Sequence, residues 1–260
     1  MSAKRLGFTV LGTALLVACS DSTGASSKGQ NVSLSFAGRL PGFAGLQAMP
    51  SIVEAAGDSM VVTGGGNTLI IKTVEVVVRK IELKRANVSG SCDSIVHVED
   101  CGEFKSGAVL VSVPLAAGAV SSVTVPIDSG TYKSMEFKIH KPGNDSVDLA
   151  FKAANPTWPA NTSIRVTGTF NGTPFTYTTS LDVEQEASFV PPLVVTALGT
   201  ATNLTLRFDI SKWFIGTGGA VLDPATANNG QPNESTVQNA IKNSFKAFKD
   251  DNHDGDESNG

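Results

Sequence analysis

Along most of this chain apolar residues recur at every second position, the period of a strand with one dry face and one wet face. Val32, Leu34 and Phe36 alternate with Ser33 and Ser35. Met135, Phe137 and Ile139 alternate with Glu136, Lys138 and His140, which places His140 among the solvated positions. The longest run, Thr68 to Arg85, carries Ile70, Val74, Val76 and Val78 on one face, with Lys72 interrupting. Past Arg79-Lys80 the apolar positions become Ile81 and Leu83. The parity has switched, and one extra residue in a strand does that, so the pattern predicts a β-bulge near Arg79-Lys80.

Further strands are predicted through Val109 to Val113, Val120 to Ile127, Val147-Leu149-Phe151, Ser163 to Phe170, Pro174 to Ser180, Leu181 to Val195 and Leu204 to Ile210. Turn residues separate them. Gly64-Gly65-Gly66-Asn67 and Lys141 to Asp145 read as turns, and Asn171-Gly172 is a strong two-residue hairpin signal. The period changes only near the end. Val237, Ile241, Phe245 and Phe248 recur at helical spacing, with Ser235 and Gln238 placed as a capping box, which predicts a helix from Ser235 to Lys249. The reading is a mainly β chain: an immunoglobulin-like or prealbumin-like β-sandwich with one C-terminal amphipathic helix. The sandwich covers 31–215, a Gly/Asn/Pro loop 216–232, and the helix with an acidic tail 233–260.

The N-terminus breaks the alternation. Lys4 and Arg5 precede an apolar or small-residue run from Leu6 to Ala18 that ends in Leu16-Val17-Ala18-Cys19. About a dozen such residues are too few to span a bilayer, which takes roughly 20, and they suit the apolar region of a secretory signal. The segment resembles a bacterial lipoprotein signal peptide. That resemblance implies cleavage before Cys19, acylation of Cys19, and attachment to a membrane outside the cytoplasm. Residues 20–30, rich in Ser and Gly, have the composition of a flexible tether. Ser20, rather than Asp, follows the cysteine and favours the outer membrane, although Asp21 comes next.

Two further cysteines, Cys92 and Cys101, sit close together inside a polar loop. An exported compartment is oxidising, and a disulfide closing so short a loop contributes roughly 2–3 kcal/mol. Half of a metal site is the other reading, but no second Cys/His pair stands at ligand spacing.

Several strand and turn patterns add a second resemblance: Thr68 to Lys72, Val76 to Arg85, Val109 to Leu115, Gly130-Thr131-Tyr132 and Phe137 to Pro142. Together they resemble an uncharacterised bacterial lipoprotein family known only as a domain of unknown function. The resemblance implies a β-sandwich on a lipid tether over about residues 31 to 215, and offers no catalytic residue.

The net charge of −4 and the lack of a basic patch with interleaved aromatics argue against nucleic-acid binding. No Gly-x-Ser-x-Gly elbow is present, and Gly64-Gly65-Gly66 lacks the Lys-Ser/Thr of a phosphate loop. His97 lies near Asp93 and Glu99, a weak metal constellation beside the simpler reading of an exposed loop histidine. Two function classes follow. The first is a non-catalytic envelope module that binds a protein or glycan through its loops, with Trp158 in a proline-rich loop as sugar-stacking platform or as a plug for the core. The second is a glycan-active hydrolase whose carboxylates converge only in the fold.

The tail DDNHDGDESNG, which contains His253, carries one more candidate. Asp250, Asn252 and Asp254 take the first, third and fifth places of a calcium loop, with Gly255 sixth and Asp256 able to add a carboxylate. A helix ending at Lys249 would enter it as in an EF-hand. Glu257 holds the usually apolar eighth place, and the sequence ends before the twelfth place, where a bidentate Glu is expected. Weak Ca2+ binding is the expectation.

Overall fold

The computed structural model describes residues 31–38, 52–54, 59–87, 101–105, 107–116, 121–196, 202–250 and 252. The signal segment, Cys19, the tether, Cys92, Asp93, His97, Glu99, His253, Asp254 and Asp256 lie outside them, and with Cys92 so does the disulfide.

One strand organises the larger of two sheets. β4 (Asn67–Arg85) is 19 residues long and is shared by five neighbours. β3 (Met60–Gly64), β6 (Val109–Ser112) and β5 (Cys101–Lys105) follow one another along one of its edges. β9 (Ile164–Phe170) and then β8 (Gly130–Ile139) line the other. β2 (Ile52–Glu54) extends β3, β10 (Thr173–Thr179) extends β9, and β11 (Val183–Val195) extends β8, which completes nine strands. The second sheet has four strands in the order β13-β12-β1-β7. In it β1 (Asn31–Ala37) runs parallel to β12 (Thr202–Phe208) and antiparallel to β7 (Ser121–Pro126), while β13 (Phe245–Lys249) pairs antiparallel with β12. The chain is therefore mainly β, as its periodicity predicts.

The sheets share one core. Val32, Leu34 and Phe36 of β1 and Leu204, Leu206 and Phe208 of β12 join Val76, Val78, Leu83, Met135, Phe137 and Ile139 in a single buried cluster. Phe245 bridges the sheets, edge-on to Phe137 at 5.3 Å and to Phe208 at 5.1 Å. Edge-to-face rings at such separations add attraction beyond the area they bury.

The bulge expected near Arg79-Lys80 is present. Lys80 adopts φ 52° and the register to β8 shifts between Arg79 and Glu82. A second bulge, between Ile71 and Thr73, was not predicted. It reverses the earlier assignment: Leu69 and Ile71 are buried, and Ile70 turns to the outer face half-buried. Lys72, the residue that interrupted the pattern, sits at the shift. Both glycine-rich turns form with the left-handed residues a tight hairpin needs. Gly65 and Gly66 have φ 62° and 81°, and Asn171 and Gly172 have φ 49° and 83°.

Three sequence expectations fail near the two helices. Val147-Leu149-Phe151 is not a strand but part of the helix α1 (Ser146–Ala154), started by Asp145, whose carboxylate accepts the Asp148 N–H at 2.9 Å. Only Asp148 and Phe151 of its side chains are buried. The C-terminal helix is also shorter than expected. α2 (Glu234–Lys242) ends seven residues before Lys249, and Phe245 to Lys249 form β13 instead. Five residues reading Phe-Lys-Ala-Phe-Lys suit either period, and the backbone of β12 decides between them. Phe245 faces the core, while Phe248 turns to the opposite face beneath the Arg207 guanidinium, 5.0 Å from its ring centre. The capping box does not form either. Asn233 is the N-cap, and Gln238 donates to Glu234 and to Thr179 of β10, fastening the helix to the sheet.

The core holds both tyrosines of the chain, Tyr132 and Tyr177, each with no exposed surface. Burial raises both phenol pKa values, and the nearby Arg85 partly opposes this at Tyr132. A folded pKa raised above the unfolded value of about 10 means stability that is complete below pH 10 and lost as pH rises further. Absorbance at 295 nm is therefore expected to stay silent through pH 10 and to rise together with the loss of the circular-dichroism signal. A titration of either tyrosine near pH 10 in the folded state would contradict this.

A candidate ligand-binding groove

The unpredicted bulge in β4 has a consequence on the outer face of the larger sheet. With Ile71 opposite Gly168 and Thr73 opposite Thr167, both Lys72 and Thr73 turn outward, and Glu75 follows two residues on. Gly168 is required at this point, because a Cβ there would strike the Ile70 carbonyl. On β9, Ile164 and Val166 point to the core, which leaves Arg165 and Thr167 outward. Two cross-strand rows result. Thr73, Thr167 and Thr176 face one another across β4, β9 and β10, and Glu75 lies opposite Arg165 in the next row.

These residues floor a groove of about 660 Å³. Val113, Pro114 and Leu115, which follow β6, and Pro159 supply its apolar walls, and Lys72 stands among its lining residues. The Thr73 and Thr167 hydroxyls are 2.6 Å apart, and the Arg165 Nε donates to Glu75 Oε2 at 2.7 Å. The Arg165 guanidinium also covers the Trp158 ring, 4.9 Å from its centre. Stacking on an indole adds to holding an arginine in one plane.

Trp158 is thus neither plug nor open platform. It is half-buried, donates through Nε1 to the Thr162 carbonyl at 2.8 Å, and meets Phe151 of α1 edge-on at 6.4 Å. Its place is behind Arg165, as support. Arg165 itself carried no sequence signal beyond an outward position on a strand.

Carboxylates do converge elsewhere in the fold. Glu82, Glu136 and Glu186 share a cross-strand row of β4, β8 and β11. Lys84, 5% exposed, places its ammonium 3.3 Å from Glu136 and 3.9 Å from Glu186, and Ser134 donates to Glu186 at 2.6 Å. The hollow over this region is about 10 Å³, less than a sugar ring occupies. The arrangement is an ion network within the sheet rather than a pair of carboxylates flanking a substrate.

His140 also differs from expectation. It is 6% exposed, and its Nε2 lies 2.8–2.9 Å from both oxygens of Asp148, itself 1% exposed. Asp148 further accepts the Gly143 N–H at 2.5 Å and lies 3.4 Å from Arg79 Nη1. Arg79 pairs with Asp145 at 2.8 Å, and that hydrogen bond, with the Asp148 N–H, lowers the Asp145 pKa. Among the described residues the His140 Nδ1 has no hydrogen-bond partner, and Asp182 Oδ2 is 3.8 Å away. Among the described residues no nucleophile is hydrogen-bonded to the ring, and the ion pairs and hydrogen bonds of Asp145 and Asp148 pin α1 to the sheet.

At the C-terminus, a strand and not a helix leads into the acidic tail. Asp250 is fully buried, accepts from Thr205 Oγ1 at 2.6 Å, and donates its backbone N–H to the Asn203 carbonyl at 2.9 Å. It continues the β12–β13 ladder, so the first place of the calcium-loop spacing is turned into the sheet while Asn252 is exposed. Among the described residues no three His, Cys, Asp or Glu side chains are grouped to hold a metal ion.

No protein-family model matches the chain, and no curated protein matches it. Among solved structures, MbnP from Methylosinus trichosporium superposes with a TM-score of 0.41 and 11% identity, over 85% of this chain and 99% of that one. At that distance the likeness carries no functional information.

Proposed function

We propose that this protein is a lipid-anchored cell-envelope module that binds a hydroxyl-bearing polymer, such as a glycan, in the groove across β4, β9 and β10, and does so without catalysing a reaction. The observation that carries the reading is the groove floor: a threonine row beside an arginine held from two sides, all on rigid strands. Binding sites profit from such pre-organisation, because little ordering remains to be done when the ligand arrives. The scaffold is read as the immunoglobulin-like or prealbumin-like sandwich that the strand spacing predicts.

A glycan array probed with the mature chain and with Thr167→Arg tests the binding role. Thr167 faces outward on the groove floor, so the arginine fills the trough without entering the core. Array signals are expected for the parent chain and are expected to vanish in the variant. Signals that persist undiminished would place binding elsewhere.

The address belongs to the same proposal. Cys19→Ser expressed in a bacterial host is expected to move from the membrane to the soluble envelope fraction. Denaturing alkylation of the exported chain is expected to find neither Cys92 nor Cys101 free. Retention of Cys19→Ser on salt-washed membranes would sink the anchor.

A further inference from the structure

We infer that the groove selects a carboxylate-bearing glycan, a chain of uronic-acid type, and that Arg165 is the residue that reads the carboxylate. The inference rests on the binding role proposed above and adds the chemical class of the ligand.

Arg165 uses one of its nitrogens internally. Nε donates to Glu75, and among the described residues neither terminal nitrogen makes a hydrogen bond. Its side chain is about a quarter exposed at 26%, and it lines the groove. Glu75 fixes the guanidinium from one edge and Trp158 fixes its plane from one face. The free edge carries two parallel N–H donors, which match the two oxygens of a carboxylate. A guanidinium already held in position loses less side-chain freedom on binding than one that swings in solution.

The surroundings select a sugar over an acidic peptide. The Thr73 and Thr167 hydroxyls, 2.6 Å apart, and Thr176 beyond them line the floor with hydroxyl groups that can exchange hydrogen bonds with those of a sugar. Val113, Pro114, Leu115 and Pro159 give shallow apolar walls for the C–H faces of sugar rings. Lys72 adds a second cation for a further acid group along the chain. β9 is paired on both sides, by β4 and by β10, so the centre of this floor offers a peptide no free strand edge.

Calorimetry of the mature chain decides the matter with three probes: hexagalacturonate, its carboxyl-reduced hexagalactose counterpart, and a hexaglutamate peptide. Hexagalacturonate is expected to bind, more weakly as salt rises, with the reduced sugar at least about tenfold weaker. Arg165→Gln is expected to remove that difference by weakening hexagalacturonate at least about tenfold, and Arg165→Lys to restore only part of it. Melting temperatures of both variants close to the parent's guard against misfolding. Equal affinity for acidic and reduced sugars, unaffected by Arg165→Gln, would overturn the carboxylate reading and leave the binding role standing. Hexaglutamate binding as tightly as hexagalacturonate would overturn the choice of a glycan. No binding of any of the three, together with a silent glycan array, would overturn both proposals.

Discussion

Trp213→Ala is expected to cost about 3–5 kcal/mol, the range for deleting a large aromatic from a packed core. Trp213 is among the largest of the fully buried side chains. Its Nε1 donates to Ser244 Oγ at 2.8 Å, and that hydroxyl donates in turn to the Ile241 carbonyl at 2.7 Å. This relay fastens the end of α2 and the entry to β13. The substitution therefore opens a cavity and removes the donor that orients Ser244. Trp213→Phe keeps most of the volume and loses only the hydrogen bond, so it is expected to cost about 1–2 kcal/mol. Urea unfolding followed by circular dichroism separates the two variants. A Trp213→Ala protein within 1 kcal/mol of the parent, taken as an order-of-magnitude threshold, would show that the site collapses around the loss.

Asp148→Ala is expected to cost a similar 3–5 kcal/mol, because deleting one member of a buried charged cluster strands the others. The His140 ring would lose its only hydrogen-bonding partner among the described residues, and the Arg79 guanidinium would keep Asp145 alone. The Gly143 N–H would also lose its acceptor. Asp148→Asn restores hydrogen bonding without the charge and is expected to fall between the two. Since α1 brings Phe151 against Trp158, release of α1 is expected to shift Trp158 emission to longer wavelength. Proteolysis is expected to begin within residues 141–155. An unchanged emission spectrum in a destabilised Asp148→Ala protein would mean that α1 stays docked without the cluster.

Much of the fold was legible because one wet and one dry face leave a period of two. The Arg79-Lys80 bulge and the Asn171-Gly172 hairpin were readable from parity and from turn chemistry, both local in origin. What failed was decided by distant contacts. Phe245 and Phe248 fit a helix as well as a strand until β12 presents an edge for them. His140 sits at a polar place in its strand, and only the later return of α1 covers it. In α1 itself the start signal was present, Asp145 followed by Asp148, but Val147, Leu149 and Phe151 mimic a strand over so short a span. The groove was the least legible part. Trp158 drew attention as an aromatic in a proline-rich loop, whereas the residue that lines the groove, Arg165, becomes special only when Glu75 and Trp158 arrive from other parts of the chain.

The place of β1 carries a consequence for when the protein can fold. It is an interior strand of its sheet, flanked by β7 and by β12, so the first of the described strands waits for one of the last. Ser35 and Asn203, hydrogen-bonded to each other, stand 168 residues apart. Closing so long a loop comes before any reward from the contact, and chains dominated by such pairings fold slowly. A ribosome or a translocation channel that has released only the first two hundred residues has released a chain with half of that sheet missing. Native structure in that sheet then has to wait until β12 and β13 have emerged.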